Sequence, residues 1–424
     1  MSKDLVRQIR VRVRDNPLGP ALQRYITYLV SRGYSETTWS EFVRVAEHFG
    51  CWLGRRSLSQ VTVRQFLCQH LSACQCSTPV RENGGCCSGP VIRSWKRNQR
   101  ALKHLLAMLG ITRSVAAEFP SGIVGDVLRR YAKWLKNARG LAAGTIRYRL
   151  KTAKTMLTSF RIKRAGQLAK WTPRLIVDFM SGEAARGTPS RAQQIACGVR
   201  SLLRFLLQEG LICHDLSAAV PTFAHWRLAP LPEILQKEEL AQLLKQPNTR
   251  NAMGLRNRAI LLCLNELGLR ASDVAGIELA GVDFASGLLT IRRSKQRKST
   301  VLPMPRKLAH ALKAYLQRGR PACKSPMLFV HHWPPVGTAI KSSTVSQIVW
   351  SLGERAKLRP QVRGAHVLRH TFASRMLGAG ATLKEVADLL GHKSIDTTAI
   401  YAKVDIKALT HVALPWPGAK ESRQ

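Results

Sequence analysis

The chain has 424 residues, of which 67 are Lys or Arg and 25 are Asp or Glu, so its formal net charge is +42. Because 45% of the residues are hydrophobic, the composition excludes a disordered basic tail, and the length suggests two or three folded domains. A folded and strongly basic protein most often binds a polyanion such as nucleic acid, although composition alone assigns no reaction.

The sequence gives no sign of export or membrane insertion. Its N-terminus has no apolar segment typical of a signal peptide, and no window approaches the ~20 apolar residues of a membrane-spanning helix. The ten cysteines are therefore expected to be reduced thiols rather than disulfides. We expect a cytoplasmic protein that does not associate with membranes.

Two segments of the N-terminal half follow the same helical pattern, after a short segment at residues 1–15. In each, a Leu-x-x-Tyr-x-x-x-Leu helix around Tyr25 or Tyr131 is followed by Arg-Gly, and an amphipathic helix closes the segment at 100–110 or 200–210. We predict that residues 16–115 and 121–212 are two copies of a module of four or five helices. Chance similarity between amphipathic helices is the alternative.

The first module contains a cysteine-rich loop. Its possible metal ligands are His70, Cys74, Cys76, Cys86 and Cys87. A zinc ion would tie together a loop that is too polar to pack, and His and Cys are the ligands that zinc prefers. The spacings are not those of a common zinc finger, however. Free thiols are therefore the favoured interpretation, and a metal site is the alternative.

A linker is predicted at residues 213–231, since the stretch from Ala218 to Pro232 contains three prolines and has no helical period. Beyond it, residues 232–414 indicate a mainly helical domain with a small β-sheet, and 415–424 form a tail. Two strands are expected at Leu288–Arg292 and Thr300–Met304. Helices are expected at Lys237–Leu244, Asn251–Leu267, Arg306–Gln317, Ser343–Ala356, Val367–Leu377 and Lys384–Leu390.

Four short patterns follow one another in this C-terminal part. They are Leu-Gly-Leu-Arg270-Ala-Ser-Asp, Ser-Lys295 upstream of Val-Leu-Pro, His366-Val-Leu-Arg369-His, and Leu-Gly-His392 followed by Ala-Ile-Tyr401. Taken singly each has a structural alternative, and Tyr401 after an isoleucine could be a core residue. Their order and completeness together are specific. The chain resembles the tyrosine recombinase, or phage integrase, family, with residues 232–414 similar to its catalytic domain and 121–212 to its core-binding, SAM-like helical DNA-binding domain.

The resemblance implies an enzyme that cuts and rejoins DNA at specific sites through a covalent 3′-phosphotyrosyl intermediate, without ATP, a metal ion or another cofactor. The catalytic set that it implies is Arg270, Lys295, His366, Arg369, His392 and the nucleophile Tyr401. The sequence departs from the family pattern at Asp273, where a Glu is commoner, and after Tyr401, where Ala-Lys-Val replaces Thr-His. Neither departure is expected to abolish activity.

The residue types suit this chemistry. Two guanidiniums can bind the non-bridging oxygens of a phosphorane transition state and stay charged at any working pH. The phenol must lose a proton, for which His366 is the candidate base, and the leaving 5′-oxygen must gain one, for which Lys295 is the candidate acid and Lys298 the alternative. Asp273 lies three residues after Arg270 and is expected to orient it.

Double-stranded DNA is the expected partner. Arg147, Arg149, Lys151 and Lys154 are expected to bind its phosphates, while the 121–212 module and the catalytic domain take two faces of the duplex. The family resemblance implies a homotetramer on two DNA sites, serving a mobile element such as a transposon, phage or plasmid. The alternatives are a type IB topoisomerase-like enzyme that relaxes DNA, or a catalytically inactive DNA-binding regulator.

Overall fold

A computed structural model describes residues 16–71, 74, 95–111, 119, 122–223, 231–292, 299–391, 394 and 397–404 of the chain. These residues form helices and a single three-stranded antiparallel sheet, which confirms the predicted fold class of a mainly helical protein with a small sheet. The chain divides into two compact units, one of Met1–Leu29 with Ser35–Arg227 and the other of Val30–Tyr34 with Leu228–Gln424. The division after Arg227 falls within the predicted linker. Among the described residues, no helix combines the length and apolarity needed to cross a membrane.

The first part of unit 1 is helical. Its helices are α1 (Gly19–Ser31), α2 (Glu36–Leu53), α3 (Gln60–Gln65) and α4 (Trp95–Met108), and α3 continues directly into a π-helical turn, Phe66–His70. Ser59 and Thr62 form a capping box at the start of α3, which satisfies backbone N–H groups that the helix cannot pair internally. Buried faces of these helices meet around the fully enclosed side chains of Leu22, Tyr25 and Phe49.

The second part of unit 1 has four helices, α5 (Ile123–Asn137), α6 (Ala143–Ser159), α7 (Pro173–Ala185) and α8 (Pro189–Gln208). Helices α7 and α8 each begin with a threonine cap followed by proline at the first helical position, where a missing N–H costs nothing. Their apolar faces form one core, which includes Tyr131, Met156 and Phe205.

One contact recurs in the two parts of unit 1. The hydroxyl of Tyr25 donates a hydrogen bond to the carbonyl oxygen of Ala101 at 2.6 Å, and the hydroxyl of Tyr131 donates to Oγ of Ser201 at 2.9 Å. In the sequence patterns aligned above, Tyr25 corresponds to Tyr131 and Ala101 to Ser201. Each of these tyrosines thus bonds to the helix that closes its own part of unit 1, the first to a backbone carbonyl and the second to a side-chain hydroxyl.

Unit 2 is built around a helix that is buried on almost every side. Its helices are α9 (Lys237–Lys245), α10 (Ala252–Leu267), α11 (Ala271–Ala275), α12 (Arg306–Arg318), α13 (Ser342–Arg355), α14 (Ala365–Gly378) and α15 (Leu383–Leu390). Helix α10 has seven consecutive buried residues, 259–265, and contacts both α12 and α14. All six helices predicted from the sequence in this unit are present, with ends that differ by at most two residues.

The sheet of unit 2 has the strand order β1 (Val282–Asp283), β2 (Leu288–Arg292) and β3 (Ser299–Pro303). Strands β2 and β3 pair antiparallel, with Ile291 opposite Thr300 and Arg292 opposite Ser299. Leu289 and Ile291 of β2 are buried, whereas their neighbours are exposed, as the alternating pattern predicts. The residues that join β2 to β3 in the sequence are 293–298.

Candidate active site

The guanidinium of Arg369 is held between the ends of two helices. Its Nη1 donates to the carbonyl oxygen of Gly268 at 2.7 Å, just after α10, and its Nη2 donates to that of Leu390 at 2.9 Å, the last residue of α15. Carbonyl oxygens at helix ends have no partner within the helix and carry partial negative charge, so a cation is stabilised there. Arg369 is thus a buried cation with a fixed orientation.

Two glycines shape these helix ends. Gly268 and Gly391 both adopt left-handed backbone conformations, with φ of 58° and 62°. A side chain at Gly268 would also collide with the ring of Phe372 and approach Cδ2 of Leu390 to 2.9 Å. Glycine is therefore required at position 268 both by backbone conformation and by packing.

Arg270 reaches the same helix end as Arg369. Its Nη2 donates to the carbonyl oxygen of Gly391 at 3.4 Å, while its Nη1 lies 3.8 Å from Oδ2 of Asp273. The two arginines therefore bind carbonyl oxygens of successive residues, Leu390 and Gly391. Asp273 is buried beside Arg270, which is the position that the sequence predicts for a carboxylate that orients this guanidinium.

Tyr401 lies on a 3-10 helix, Ala399–Val404, which packs against α14. Its side chain is 2% exposed and belongs to a small apolar cluster with Phe372, Val386 and Leu390. The phenol oxygen is 2.9 Å from Nδ1 of His370, at hydrogen-bonding distance. A buried tyrosine is therefore held at its polar end by a histidine of α14.

Burial and the neighbouring charges shift the pKa of the Tyr401 phenol in opposite directions. Burial raises the pKa of Tyr401, and the positive charges of Arg369 and Arg270 lower it. The pKa of His370 is lowered to about 4, first by burial and then by the nearby His366 and Arg369. His370 is therefore neutral at pH 7, and a neutral ring with an unprotonated Nδ1 can accept a hydrogen bond from the phenol.

His366 stands one helical turn before His370. It is exposed, and the two imidazole rings meet edge to face with their centroids 5.8 Å apart. The hydrogen bond to Tyr401 is therefore made by the second histidine of the His-Val-Leu-Arg-His motif. Sequence reasoning assigned His370 no role, although its place beside Arg369 in that motif was visible.

Two predicted catalytic residues, Lys295 and His392, lie outside the described residues. Lys295, like its alternative Lys298, belongs in the sequence to the connection between β2 and β3. His392 directly follows Gly391, whose carbonyl oxygen accepts from Arg270. The structure thus brings together Arg270, Asp273, Arg369 and Tyr401, with His366 on the adjoining turn.

The predicted DNA-binding residues all lie on α6, but on two sides of it. Arg147, Lys151 and Lys154 are exposed and share one helix face, opposite the face that is buried in the core. Arg149 is half-buried and near the hydroxyl of Tyr131, whose pKa burial raises and the Arg149 charge partly lowers. The exposed stripe on α6 therefore contains three of the four cations.

The cysteine-rich segment is described in part. His70 and Cys74 lie within it, whereas Cys76, Cys86 and Cys87 lie outside the described residues. The structure adds His48 from α2, whose Nε2 is 3.1 Å from Nε2 of His70 and 3.3 Å from Sγ of Cys74. His48 was not found from the sequence because it is 22 residues away from His70 and belongs to no spacing motif.

The arrangement around Tyr401 joins a phenol hydroxyl, a neutral imidazole and two guanidiniums, which is a set suited to attack on a phosphodiester. The phage integrase family model matches residues 233–407 of the chain. This range coincides closely with the predicted catalytic domain and contains every residue of the site.

Two relatives and a solved structure extend the similarity. A putative integrase/recombinase of Sinorhizobium fredii, y4rA, is 31% identical over 410 residues, spanning 95% of this chain and 96% of the relative. The tyrosine recombinase XerD of Mycobacterium tuberculosis is 31% identical over 312 residues, spanning 69% of this chain and 96% of XerD. The fold is similar to that of the XerH site-specific recombinase in a post-cleavage complex with its difH substrate, with a TM-score of 0.56, 17% identity and coverage of 84% of this chain and 94% of XerH. The chain therefore belongs to the tyrosine recombinase, or phage integrase, family of enzymes that cut and rejoin DNA strands at specific sites.

Proposed function

We propose that Tyr401 is the nucleophile of this recombinase. Its phenol oxygen attacks a DNA phosphorus, the bond from phosphorus to the 5′-oxygen breaks, and a 3′-phosphotyrosyl link and a free 5′-hydroxyl result. The observation that carries the proposal is the hydrogen bond between the Tyr401 hydroxyl and His370, at a place where the charges of Arg369 and Arg270 act on the phenol.

The two arginines bind the non-bridging oxygens of the phosphate. Their guanidiniums are oriented by helix-end carbonyl oxygens before substrate arrives, so little side-chain reorganisation is needed when negative charge develops. Asp273 acts through Arg270 as a positioning residue, since its carboxylate lies 3.8 Å from that guanidinium. His392 completes the phosphate-binding set, as the family resemblance implies.

Nδ1 of His370, which is neutral at pH 7 and already at hydrogen-bonding distance, accepts the phenol proton as the phenol oxygen bonds to phosphorus, because the negative charge of the bound phosphate raises the basicity of this imidazole. His366, the base favoured by the sequence, is exposed one turn away and is available to the phosphate instead. Lys295 donates a proton to the leaving 5′-oxygen, with Lys298 as the alternative donor. Reversal of these transfers lets the 5′-hydroxyl of another strand displace the tyrosine.

Unit 1 contributes DNA binding through the exposed stripe on α6, formed by Arg147, Lys151 and Lys154. These cations neutralise backbone phosphates and fix the position of the protein on the duplex without reading bases. The complete reaction is recombination between two DNA sites by a homotetramer, on behalf of a mobile element. The integrase name of the Sinorhizobium fredii relative supports the mobile-element role.

The test is covalent capture on a nicked suicide substrate, from which the small 5′-hydroxyl fragment is lost after cleavage. The residues above do not identify the target sequence. The substrate is therefore a pool of randomly nicked duplex fragments of the DNA that flanks the coding region. The wild-type chain is expected to form a denaturant-resistant DNA adduct, and Tyr401→Phe is expected to form none.

Tyr315→Phe is the matched control. Tyr315 is likewise a buried tyrosine of unit 2, and its hydroxyl is 3.5 Å from Nε2 of a histidine, His332. This variant is expected to retain the adduct. An adduct that persists in Tyr401→Phe would contradict the role of Tyr401 as nucleophile. Supercoil relaxation by the wild-type chain without recombinant product would contradict recombination as the reaction.

A further inference from the structure

We propose that His48, His70 and Cys74 of unit 1 bind a zinc ion. The three come from separate places in the chain: His48 from the interior of α2, His70 from the end of the π-helical turn Phe66–His70, and Cys74 from four residues further on. All three ligand atoms lie within 4.8 Å of one another. This site is far in sequence from the catalytic residues and has no part in the phosphodiester chemistry.

The distances fit a tetrahedral zinc site. With Zn–N bonds of about 2.0–2.1 Å and Zn–S bonds of about 2.3 Å, two nitrogen ligands are about 3.3 Å apart and a nitrogen and a sulfur about 3.6 Å apart. The two Nε2 atoms are 3.1 Å apart here, and Nε2 of His48 is 3.3 Å from Sγ of Cys74. Shifts of a few tenths of an ångström are enough to accommodate the ion.

Hydrogen bonding alone explains these contacts less well. Each imidazole nitrogen has either one proton to donate or one lone pair to accept with. Nε2 of His48 is in close contact with both His70 and Cys74, so it can make one good hydrogen bond of the two. A metal ion takes the lone pairs of both imidazoles and of the thiolate at once, which accounts for all three atoms facing one point.

The surroundings are those of a structural metal site. Apolar aromatic rings enclose the histidines: Phe66 meets His48 edge to face at 5.0 Å and stacks on His70 at 5.3 Å, and Trp52 is 5.6 Å from His70. His48 itself is 4% exposed. These rings restrict water around His48, while His70 and Cys74 are half-exposed. Two imidazoles with a thiolate suit zinc rather than the hard cations magnesium or calcium.

A structural role follows from the position of the ligands. An ion at this point would cross-link Cys74 and the π-helical turn to the buried interior of α2. A structural zinc site usually has four protein ligands. The described residues supply three of them.

The experiment measures metal bound to the full-length chain. After incubation with zinc sulfate and removal of free metal by gel filtration, elemental analysis is expected to find one zinc ion per chain. Cys74→Ser and His70→Ala are expected to reduce that content by at least five-fold. Cys68→Ser is the control, since Cys68 is exposed in the same π-helical turn; it is expected to retain the zinc.

Cobalt provides a second measurement that does not depend on the variants folding. The wild-type chain loaded with Co²⁺ is expected to show the intense visible bands of tetrahedral cobalt and a thiolate-to-metal charge-transfer band. Wild-type protein that retains no stoichiometric zinc, or cobalt spectra of octahedral type without a thiolate band, would overturn the proposal. Zinc content equal in Cys74→Ser and Cys68→Ser would overturn it as well.

Discussion

At the scale of single residues, the hydrogen bond between Tyr401 and His370 is the feature with the most direct chemical meaning. A phenol that acts as a nucleophile needs a proton acceptor nearby, and Nδ1 of His370 lies 2.9 Å from the phenol oxygen of Tyr401. His366 was the expected base because it begins the motif, yet the hydrogen bond of the Tyr401 phenol is to His370, one turn further along α14. The two histidines can be separated experimentally.

We expect His370→Asn to slow strand cleavage by about 100-fold or more, which is the usual contribution of a general base. The Asn side-chain oxygen can replace Nδ1 as a hydrogen-bond acceptor, so Tyr401 stays in place while the proton acceptor is lost. Single-turnover cleavage of the suicide substrate measures the effect. A larger loss in His366→Asn than in His370→Asn would return the role of base to His366.

The pKa of His370 also predicts how stability depends on pH. Because the folded-state pKa is about 4, below the ordinary value of 6.5, the stabilising contribution is fully present above pH 6.5 and is lost as the pH falls towards 4. The free energy of unfolding is expected to fall by about 1 kcal/mol between pH 7 and pH 5, and the loss is no larger because water reaches part of the ring. Denaturant titrations should show that His370→Asn loses less stability than wild type over this interval. Equal losses in the two proteins would argue against a neutral, buried imidazole.

At the scale of elements, the site depends on how α10 and α15 end. Each helix stops at a glycine in the left-handed conformation, and the carbonyl oxygens exposed there accept from the two arginines. The positions of the two guanidiniums are therefore set by how the helices end as well as by the arginines themselves.

Gly268→Ala is expected to destabilise the chain by about 2–4 kcal/mol, from a strained backbone and from overpacking against Phe372 and Leu390. Gly287→Ala is the matched control, because Gly287 also has a positive φ, 68°, but nothing lies within 4 Å of an added Cβ. It is expected to cost about 1 kcal/mol. Thermal unfolding of both variants checks the difference, and equal melting temperatures would remove the packing argument.

The sequence predicted these elements better than the contacts between them. Six of the seven α-helices described in unit 2 were predicted from apolar periodicity, and both long strands from short apolar runs, because these signals are local; the five-residue α11 was not predicted. The bond from Arg369 to Gly268 joins residues 101 positions apart, and no local pattern reports it. His370 and His48 were missed for the same reason: their partners, Tyr401 and His70, are brought near only by the packing of separate elements.

At the scale of the whole molecule, the formal charge of +42 makes DNA affinity strongly dependent on salt. Neutralising Arg147, Lys151 and Lys154 together to Gln is expected to lower the slope of log affinity against log salt concentration by about 2–3, since each phosphate contact contributes about 0.9. Fluorescence anisotropy with a fixed duplex at several salt concentrations measures the slope. Arg149→Gln, on the other side of α6, is expected to change it by less than a single contact, and an unchanged slope in the triple variant would exclude the α6 stripe as a phosphate-binding surface.

The double anchoring of Arg369 has a consequence for how loss of function at this position is interpreted. A lysine has a single terminal nitrogen in place of the rigid two-nitrogen fork that donates to Gly268 and Leu390, so even this charge-preserving replacement would weaken the hold on the helix ends. The same two hydrogen bonds therefore orient the guanidinium and hold the ends of α10 and α15 together. Loss of activity in an Arg369 variant therefore combines a lost phosphate contact with a disturbed fold. Of the two arginines, Arg270 is partly exposed and less firmly held, so its charge can be changed with less effect on the fold.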